Sequence, residues 1–302
     1  MMGAGGAQGD DLQEEANAAL DFDPQLHRAD SLAGWQAAAP GWVRQQAVIS
    51  RFGAPVSGWM LDAVDLKRGE RVLELAAGLG ETGMLAAELI APLGGVIISD
   101  QADAMLDGAR VRAAELELSN VEFQSLNAEW IDLPLASVDV VLCRWAYMLM
   151  ADPRAALTET RRVLRPHGRL ALAVWDASEH NPWAQLPGLE LAERGLVQRP
   201  APGTPGPFAL ASSTRVCELL GEAGFTDIRL DTVDVVQRHV SFDSYWEMTL
   251  DVSPSFHDIV LSCPEAEIEQ IRSALAVRMQ PFADAAGHLA IPGRSIVAAA
   301  VA

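Results

Sequence analysis

The sequence predicts an α/β protein built on a doubly wound, seven-stranded and mostly parallel sheet. Short β-branched or leucine-rich segments alternate with helical patterns along most of the chain, and strands separated by helices form the βαβ units of a parallel sheet. A glycine-rich turn follows the first of these segments, at the position where open parallel sheets bind ligands. The alternation stops twice in the second half of the chain, so we expect a helical cap inserted after the fifth and the sixth strands.

Composition and charge narrow the class of protein. Half of the 302 residues are hydrophobic and 21% are charged, which is the balance of a globular protein and not of a disordered one. Lysine and arginine number 22 against 41 acidic residues, so the formal charge of -19 would repel the phosphate backbone of a nucleic acid. We therefore expect a small-molecule partner and no nucleic acid.

The cysteine and hydropathy patterns predict a cytoplasmic protein. Cys143, Cys217 and Cys263 are odd in number and form no C-x-x-C pair, which argues against a disulfide framework and against a zinc site. The N-terminus lacks a basic segment followed by an apolar one, and no apolar run approaches the length of a membrane span. We expect neither a bound metal nor a membrane span.

The N-terminal segment, residues 1–65, is predicted to be helical and to cover the site. Glycine and alanine dominate the residues before about position 10, and a helical pattern begins at Asp11. The stretch from Asp30 to Val64 is predicted to form roughly three short helices, because four residues punctuate it. These are Pro40, Gly41, Gly53 and Pro55.

Seven segments carry strand patterns and are predicted to form the sheet. In chain order they are residues 71–75, 95–99, 121–125, 138–142, 169–174, 226–237 and 295–301. The helices predicted between them cover residues 82–90, 104–116, 153–164 and 213–223. The ligand-binding core is thus expected over residues 66–175, continuing over 212–240 and closing with 287–302. The two cap insertions are residues 176–211, with one helix near 189–195, and the helical residues 241–286.

The turn after the first strand, VLELAAGLGETG at residues 72–83, has the features of a nucleotide-binding turn. Gly78 and Gly80 allow a ligand to approach the backbone, and the helix that begins near Thr82 presents free N–H groups to it. The next strand ends in Asp100, twenty residues past Gly80, where a carboxylate accepts hydrogen bonds from both hydroxyls of a ribose. The turn therefore predicts a cofactor that contains a nucleoside.

Two classes of cofactor fit such a turn, and the position of Glu74 favours one of them. As a dinucleotide turn, Gly78-x-Gly80-x-x-Gly83 places Glu74 in the interior of the strand, where an unpaired carboxylate is costly. If the turn instead begins at Ala76, Glu74 lies at the end of the strand and faces the ligand. That second register is the one used for S-adenosylmethionine.

The segment resembles the cofactor signature of class I S-adenosylmethionine-dependent methyltransferases, in the broad type 11 group that includes the ubiquinone and menaquinone biosynthesis C-methyltransferases. The signature E/D-x-G-x-G-x-G is matched by residues 74–80, with Ala76 in place of its first glycine. The resemblance continues through Asp100, through residues 126–149 and through residues 159–175. It implies a Rossmann-like fold and methyl transfer from S-adenosyl-L-methionine, with S-adenosyl-L-homocysteine as the product.

The resemblance also implies which residues hold the cofactor. The matching positions are Glu74, Ala76, Gly78, Gly80, Cys143 and Arg144 around the methionine half, Asp100 and Gln101 at the ribose, and Asn127, Ala128 and Glu129 beside the adenine. Asn127 stands where the family usually has an acid. Its amide oxygen is able to accept the same hydrogen bond from the exocyclic amine of adenine.

The methyl acceptor is expected to be a small, aromatic or largely apolar metabolite, methylated on oxygen, carbon or nitrogen. Candidates for its pocket are Tyr147, Met148, Trp175, Trp183, Tyr245 and Trp246. A general base is required only if the acceptor must lose a proton. The candidate for that base is His180, which directly follows the fifth strand.

Two other functions fit the same residues. One is an NAD-dependent oxidoreductase that uses Gly78, Gly80 and Gly83, although the register of Glu74 and the segment at Asn127 count against it. The other is a protein that keeps the methyltransferase fold but acts as a cyclase or a binding protein without transferring a methyl group, because a fold does not fix a function. Detection of a methylated product separates this second alternative from the main interpretation.

Overall fold

The central element of the fold is a seven-stranded sheet with the strand order β3-β2-β1-β4-β5-β7-β6. The computed structural model describes residues 22–198 and 203–302. The strands are β1 (Arg71–Glu74), β2 (Gly95–Asp100), β3 (Val121–Ser125), β4 (Val138–Arg144), β5 (Leu164–Trp175), β6 (Thr226–His239) and β7 (Leu289–Val301). Strands β1 to β5 pair in parallel, and β7 runs antiparallel between β5 and β6. The predicted doubly wound, mostly parallel sheet is confirmed.

Helices connect the strands and form the cap. They are α1 (Pro24–Val64), α2 (Glu81–Ile90), α3 (Asp103–Glu115), α4 (Pro153–Val163), α5 (Pro182–Glu193), α6 (Ser213–Glu222), α7 (Phe242–Val252), α8 (Pro254–Ser262) and α9 (Glu265–Met279). The ends of α2, α3, α4 and α6 lie within one residue of the predicted ends. Their hydrophobic periodicity was therefore sufficient to locate them.

The strands at the centre of the sheet are buried on both faces. In β2 the five residues from Val96 to Asp100 are all buried, and β4 has only two partly exposed positions. Parallel sheets covered by helices on both faces require such continuous apolar runs. The edge strand β6 differs, because buried and exposed residues alternate over its second half. The sheet thus supplies a rigid support whose strand ends are available for a site.

The N-terminal segment differs from its prediction, because residues 24–64 form one continuous helix, α1, and not three short ones. The carboxylate of Asp23 caps it by accepting hydrogen bonds from the amides of Gln25 and Leu26. Pro40 and Pro55 lie inside the helix, where a proline costs about 3 kcal/mol in an isolated helix. Burial of α1 side chains against the core offsets that cost. The predicted helix onset at Asp11 lies outside the described residues.

The glycines of α1 serve close packing and do not break the helix. A Cβ atom on Gly41 would lie 2.3 Å from the backbone oxygen of Asp251 in α7. A Cβ atom on Gly53 would lie 1.7 Å from Nη1 of Arg144, at the end of β4. Glycine is therefore required at Gly41, where the backbone of another helix approaches α1, and Gly53 leaves room for the Arg144 guanidinium, neither of which a sequence pattern reveals.

The two cap insertions pack against each other around a hydrophobic cluster of their own. The buried members include Leu191 from α5, Tyr245 and Trp246 from α7, Phe256 from α8 and Ile271 from α9. The helix predicted near residues 189–195 begins earlier, at Pro182. The cluster therefore joins segments far apart in sequence into one cap beside the sheet.

Over residues 22–198 and 203–302, no helix combines the length and the apolar character needed to cross a bilayer, and this includes the 41-residue α1. Within the same residues, no three or more His, Cys, Asp or Glu side chains are grouped so that they could hold a metal ion.

Candidate functional site

A cavity opens at the carboxyl ends of the central strands, beneath the N-terminal half of α1. Three charged residues that line it, Glu74, Asp100 and Arg144, are each the last residue of their strand, β1, β2 and β4 respectively. Because these strands are neighbours and parallel, their final side chains meet at one edge of the sheet. The fold thus gathers the strand-end charges that are dispersed in the sequence.

The turn after β1 forms the floor of the cavity and has an unusual backbone. Ala76, Gly78 and Gly80 have φ angles of 49°, 55° and 76°, so alternate residues adopt the left-handed conformation. The turn is fixed to β2 by Asp100, whose carboxylate accepts hydrogen bonds from the amides of Gly78 and Ala102 at 2.8 and 2.9 Å. A ligand therefore meets bare backbone at Gly78 and a buried carboxylate beside it.

Ala76 occupies the position where a glycine is expected, and its left-handed backbone carries strain of about 1–2 kcal/mol for a residue with a Cβ atom. Ala76→Gly should therefore raise the free energy of unfolding by about 0.5–1 kcal/mol, after the extra entropy of glycine in the unfolded chain is subtracted. Denaturant unfolding measures it. Ala77→Gly is the matched control, because Ala77 has no positive φ and should lose stability. Equal effects at the two positions would contradict the strain assigned to Ala76.

Glu74 is buried at the cavity wall, with 3% of its surface exposed, and its Oε2 atom has no hydrogen-bond partner. Burial raises the pKa of this carboxyl from 4.5 to about 8. The nearby guanidinium of Arg144 and the amides of Gly83 and Thr82 lower the pKa, while the carboxylate of Glu81 raises it further. Glu74 is thus protonated near neutral pH until a cation or a strong donor reaches Oε2.

Glu74→Gln should weaken the pH dependence of stability. The native protein keeps a proton on Glu74 between about pH 4.5 and 8, where the unfolded chain has lost it, so its free energy of unfolding falls as the pH rises through that window. The slope from one such group is at most about 1.4 kcal/mol per pH unit. Urea unfolding of the ligand-free proteins is measured at pH 6 and at pH 8. From pH 6 to pH 8, the free energy of unfolding should fall by roughly 2 kcal/mol more in the wild type than in Glu74→Gln.

The exposed Glu88 of α2 gives the control for that measurement, because Glu88→Gln changes the same chemical group without changing a buried one. The control should follow the wild-type pH dependence. A Glu74→Gln variant whose stability varies with pH as the wild type's does would show that Glu74 is ionised in the folded protein.

A buried charge network stands behind this wall and was not predicted. The carboxylate of Glu81, which is 4% exposed, accepts hydrogen bonds from the guanidinium groups of Arg112 at 2.7 Å and Arg144 at 3.0 Å. The Arg144 guanidinium also lies 4.7 Å from the ring centre of Trp145, and its Nη1 packs against Gly53 without a hydrogen-bond partner. In the sequence, Glu81 is only an acid in the first turn of a helix. Such a residue commonly interacts with the helix dipole, so its position does not reveal that it pairs with two arginines.

The predicted adenine-binding segment lines another part of the cavity. The amide oxygen of Asn127 accepts a hydrogen bond from the backbone of Glu129 at 2.8 Å. Glu129 in turn accepts from the amide of Ala151 at 2.9 Å and from Nε of Arg28 at 3.0 Å. One lone pair of the Asn127 oxygen is therefore already used within the segment, and Arg28 ties α1 to it.

Helix α1 contributes a side of the cavity that sequence reasoning assigned only as a covering segment. The α1 residues that line it are His27, Arg28, Ser31, Trp35 and Trp42. His27 contacts the backbone oxygen of Leu149 through Nε2 at 2.9 Å. Residues 27, 31 and 35 are spaced by four and so share one helix face. That spacing was the signal available in the sequence, although it does not say where the face docks.

Most of the predicted cofactor residues line this cavity, and Gly80 and Cys143 do not. Gly80 precedes α2 and packs toward Met84 and Ile98, and Cys143 is fully buried among β-strand neighbours, where burial raises the pKa of its thiol. Both residues pack within the protein, and their contact with the cofactor stays a prediction.

The predicted general base, His180, does not line the cavity either. Its side chain is 43% exposed and pairs with Asp176 at 2.9 Å. Proximity to the end of β5 in sequence did not bring it to the site. Among the residues that line the cavity, the histidine is His27.

The six residues predicted for the acceptor pocket also lie elsewhere. Tyr147 is buried and shares a hydrogen bond with Thr160 at 2.7 Å. Trp175 stacks on Trp145 with ring centres 4.1 Å apart, and Trp183 packs against Trp175. Met148 is buried in the main hydrophobic core, and Tyr245 and Trp246 are buried in the hydrophobic cluster of the cap. These side chains are packed into the protein, whereas the aromatic residues on the cavity wall are Trp35, Trp42 and Trp145.

Comparison with known proteins relates this geometry to a family. Residues 66–193 match a family model described as a methyltransferase domain. The chain is 32% identical over 111 residues to the ubiquinone/menaquinone biosynthesis C-methyltransferase UbiE of Cronobacter sakazakii, an alignment that covers 36% of this chain and 44% of that one. The chain spans about half or less of the curated relatives it matches.

Solved structures show the same fold. YcgJ from Bacillus subtilis superposes with a TM-score of 0.53 at 20% identity and covers 81% of this chain and 97% of its own. Phosphoethanolamine N-methyltransferase 2 from Haemonchus contortus, in complex with phosphomonomethylethanolamine and S-adenosylhomocysteine, has a TM-score of 0.53 at 15% identity over 88% of this chain and 57% of its own. Both likenesses cover more than four fifths of this chain.

Proposed function

We propose that this protein transfers a methyl group from S-adenosylmethionine to a small metabolite, because residues 66–193 match a family model described as a methyltransferase domain. The acceptor atom is an oxygen, carbon or nitrogen. The acceptor itself is aromatic or largely apolar.

The observation that carries the proposal is the unpartnered Oε2 atom of Glu74. It is a buried acceptor at the wall of a cavity, and such an atom is costly unless a ligand supplies a donor. The methionine part of S-adenosylmethionine bears an ammonium group, which is a donor of the required charge. The positively charged nicotinamide nitrogen of oxidised NAD is quaternary and has no proton to donate to this oxygen, so the same atom counts against an NAD-dependent oxidoreductase.

The remaining walls fit the other parts of the cofactor. Asp100 offers a carboxylate for ribose hydroxyls, and it remains able to accept further hydrogen bonds because each oxygen has more than one lone pair. Asn127 and Ala128 line the cavity beside the apolar Leu126 and Met105, a combination suited to a flat heterocycle with an exocyclic amine.

S-adenosylmethionine, when bound, supplies a methyl group already activated on a sulfonium sulfur. The chain must then position the acceptor and exclude water, and proximity of that kind lowers a barrier by several kcal/mol. Glu81 holds Arg144 at the wall, and α1 covers the opening through the contact of Arg28 with Glu129. These contacts fix the shape of the cavity before an acceptor arrives.

The acceptor class is supported by the aromatic side chains on the cavity wall. Trp145 lies next to Arg144, its indole N–H donates to Ser295 at 2.8 Å, and its backbone has a φ angle of 61°. An indole in a left-handed backbone is kept there only by its surroundings. Trp35 and Trp42 face the cavity from α1. Such walls favour a planar or apolar ligand over a strongly hydrated one.

The cellular setting is proposed on charge and thiol chemistry. A formal charge of -19 disfavours a nucleic acid acceptor, because the chain as a whole repels phosphates. Cys143, Cys217 and Cys263 form no disulfide with one another, which suits a reducing cytoplasm. Both points support a cytoplasmic enzyme of small-molecule metabolism.

The proposed activity is tested by incubating the protein with methyl-labelled S-adenosylmethionine and a panel of phenols, quinols, indoles and aliphatic amines. The expected result is label in at least one acceptor together with an equal amount of S-adenosylhomocysteine. Tight binding of S-adenosylhomocysteine without label in any acceptor, also in a metabolite extract, would instead favour the alternative of a cyclase or binding protein on this fold.

A further inference from the structure

A second cavity lies where the tip of the β6–β7 ribbon meets α1 and the short turn after α9. It shares no lining residue with the first cavity. Arg238 and His239 end β6 and pair in register with Ala290 and Leu289 of β7. Because adjacent strand residues point to opposite faces, Arg238 and His239 lie on opposite faces of the ribbon, and Arg51 of α1 also lines this cavity, which is open to solvent.

The charges in this cavity stand out against the rest of the molecule. Three of the lysine and arginine side chains described form neither an ion pair nor a hydrogen bond, and these are Arg51, Arg68 and Arg238. Arg51 and Arg238 both line the second cavity. Both side chains are exposed, and in a chain with 41 acidic residues and a formal charge of -19 they lie in one cavity without a carboxylate partner.

The one carboxylate in the cavity is engaged by its own loop. Asp284 accepts hydrogen bonds from the amides of Ala286 and His288 at 2.8 and 3.0 Å and pairs with the His288 ring at 3.1 Å. Those backbone hydrogen bonds, the amide of His288 first, hold the pKa of Asp284 below its ordinary value. The carboxylate is therefore turned to this loop and does not neutralise either free arginine.

An imidazole adds a buried polar group without a partner. His239 is 6% exposed, its ring packs edge-on against Tyr245 with centres 5.4 Å apart, and its Nε2 has no hydrogen-bond partner. Burial lowers the pKa of His239 to about 4, so the ring is neutral near pH 7. A neutral imidazole still donates one N–H, which suits an anion that arrives with unused acceptors.

We propose that this second cavity binds a small organic anion through its carboxylate or phosphate oxygens. Guanidinium groups recognise such oxyanions by paired N–H donors, and Arg51 and Arg238 are the donors left free for this purpose. The apolar side chains of Val240, Phe282 and Leu289 complete the cavity and suit the carbon skeleton of the ligand. This site stands apart from the proposed methyl transfer, because none of its residues lines the first cavity.

The test is a calorimetric titration of the full chain with benzoate as the probe and with benzamide as its neutral isostere. It is run with and without saturating S-adenosylhomocysteine, so that occupation of the first cavity by the probe is detected. Benzoate should bind in both conditions, and benzamide should bind at least tenfold more weakly, because charge assistance is lost.

Variants then locate the binding. Arg51→Gln and Arg238→Gln should each weaken benzoate binding by roughly tenfold, since each removes one charged donor. Arg68→Gln is the matched control, because it removes the third unpartnered arginine outside the cavity, and it should bind benzoate as the wild type does. Thermal melts confirm that the variants are folded. Equal binding of benzamide, or equal affinity in all three variants, would overturn the proposal, as would the absence of saturable benzoate binding.

Discussion

Glu81→Ala is expected to lower the free energy of unfolding by about 3–5 kcal/mol, because it leaves two buried or half-buried guanidinium groups without their carboxylate. Glu81 is 4% exposed, and its partners Arg144 and Arg112 have side chains that are 8% and 20% exposed. The penalty comes from uncompensated charge, so it should exceed the loss of a surface ion pair, which is about 0–1 kcal/mol. Urea unfolding of the ligand-free protein measures it.

The matched control for this experiment is Glu88→Ala, which removes another glutamate of the same helix, α2. Glu88 is exposed and forms no ion pair in the described structure, so its loss should change stability by less than about 0.5 kcal/mol. Arg144→Met, which replaces one buried charge by an apolar chain and leaves Glu81 paired with Arg112, should cost less than Glu81→Ala. If Glu81→Ala and Glu88→Ala behave alike, the network is not the buried charge centre that the geometry indicates.

Asp100→Ala is expected to weaken the binding of S-adenosylhomocysteine by about 10- to 100-fold, because charged hydrogen bonds contribute about 1.5–3 kcal/mol. It has a second effect that the sequence did not predict. In the wild type, the Asp100 carboxylate accepts hydrogen bonds from the amides of Gly78 and Ala102. In Asp100→Ala these buried donors have no acceptor, which should lower the free energy of unfolding by about 1–3 kcal/mol. The turn and the ribose contact therefore depend on the same side chain.

Two further variants separate these effects. Asp100→Asn keeps one oxygen as an acceptor, so it should recover part of the stability while the affinity stays low. Asp103→Ala removes an exposed acid in the first turn of α3 and should change neither quantity. Unchanged affinity in folded Asp100→Ala protein would exclude the ribose role of this residue.

The sheet was predictable from the sequence because its information is local. Strands buried on both faces leave runs of β-branched and leucine residues, and the helices between them have a different period. Helix α1 was not predictable in the same way. Pro40 and Gly53 have local preferences against a long helix, and their effect is outweighed by contacts with segments far away in sequence.

The residues of the candidate site likewise fall into those that a local sequence pattern predicts and those that it does not. Glu74 and Asp100 follow from the turn register and from the rule that ligands bind at the carboxyl ends of parallel strands. The cavity face of α1 and the partners of Glu81 depend on how separate elements dock, which no local pattern records. Trp175 was assigned to the acceptor pocket as a residue at a strand end. In the structure it stacks on Trp145, and its role in acceptor binding stays a prediction.

The measurement that tests the central claim most directly is a calorimetric titration of the full chain with S-adenosylmethionine, S-adenosylhomocysteine and NAD in parallel, in wild type and in Glu74→Gln. We expect micromolar binding of the first two, no binding of NAD, and a loss of affinity in Glu74→Gln, because its neutral amide cannot pair with an ammonium group. Binding of NAD alone would contradict the register assigned to Glu74, and the absence of binding by all three ligands would contradict the cofactor site itself.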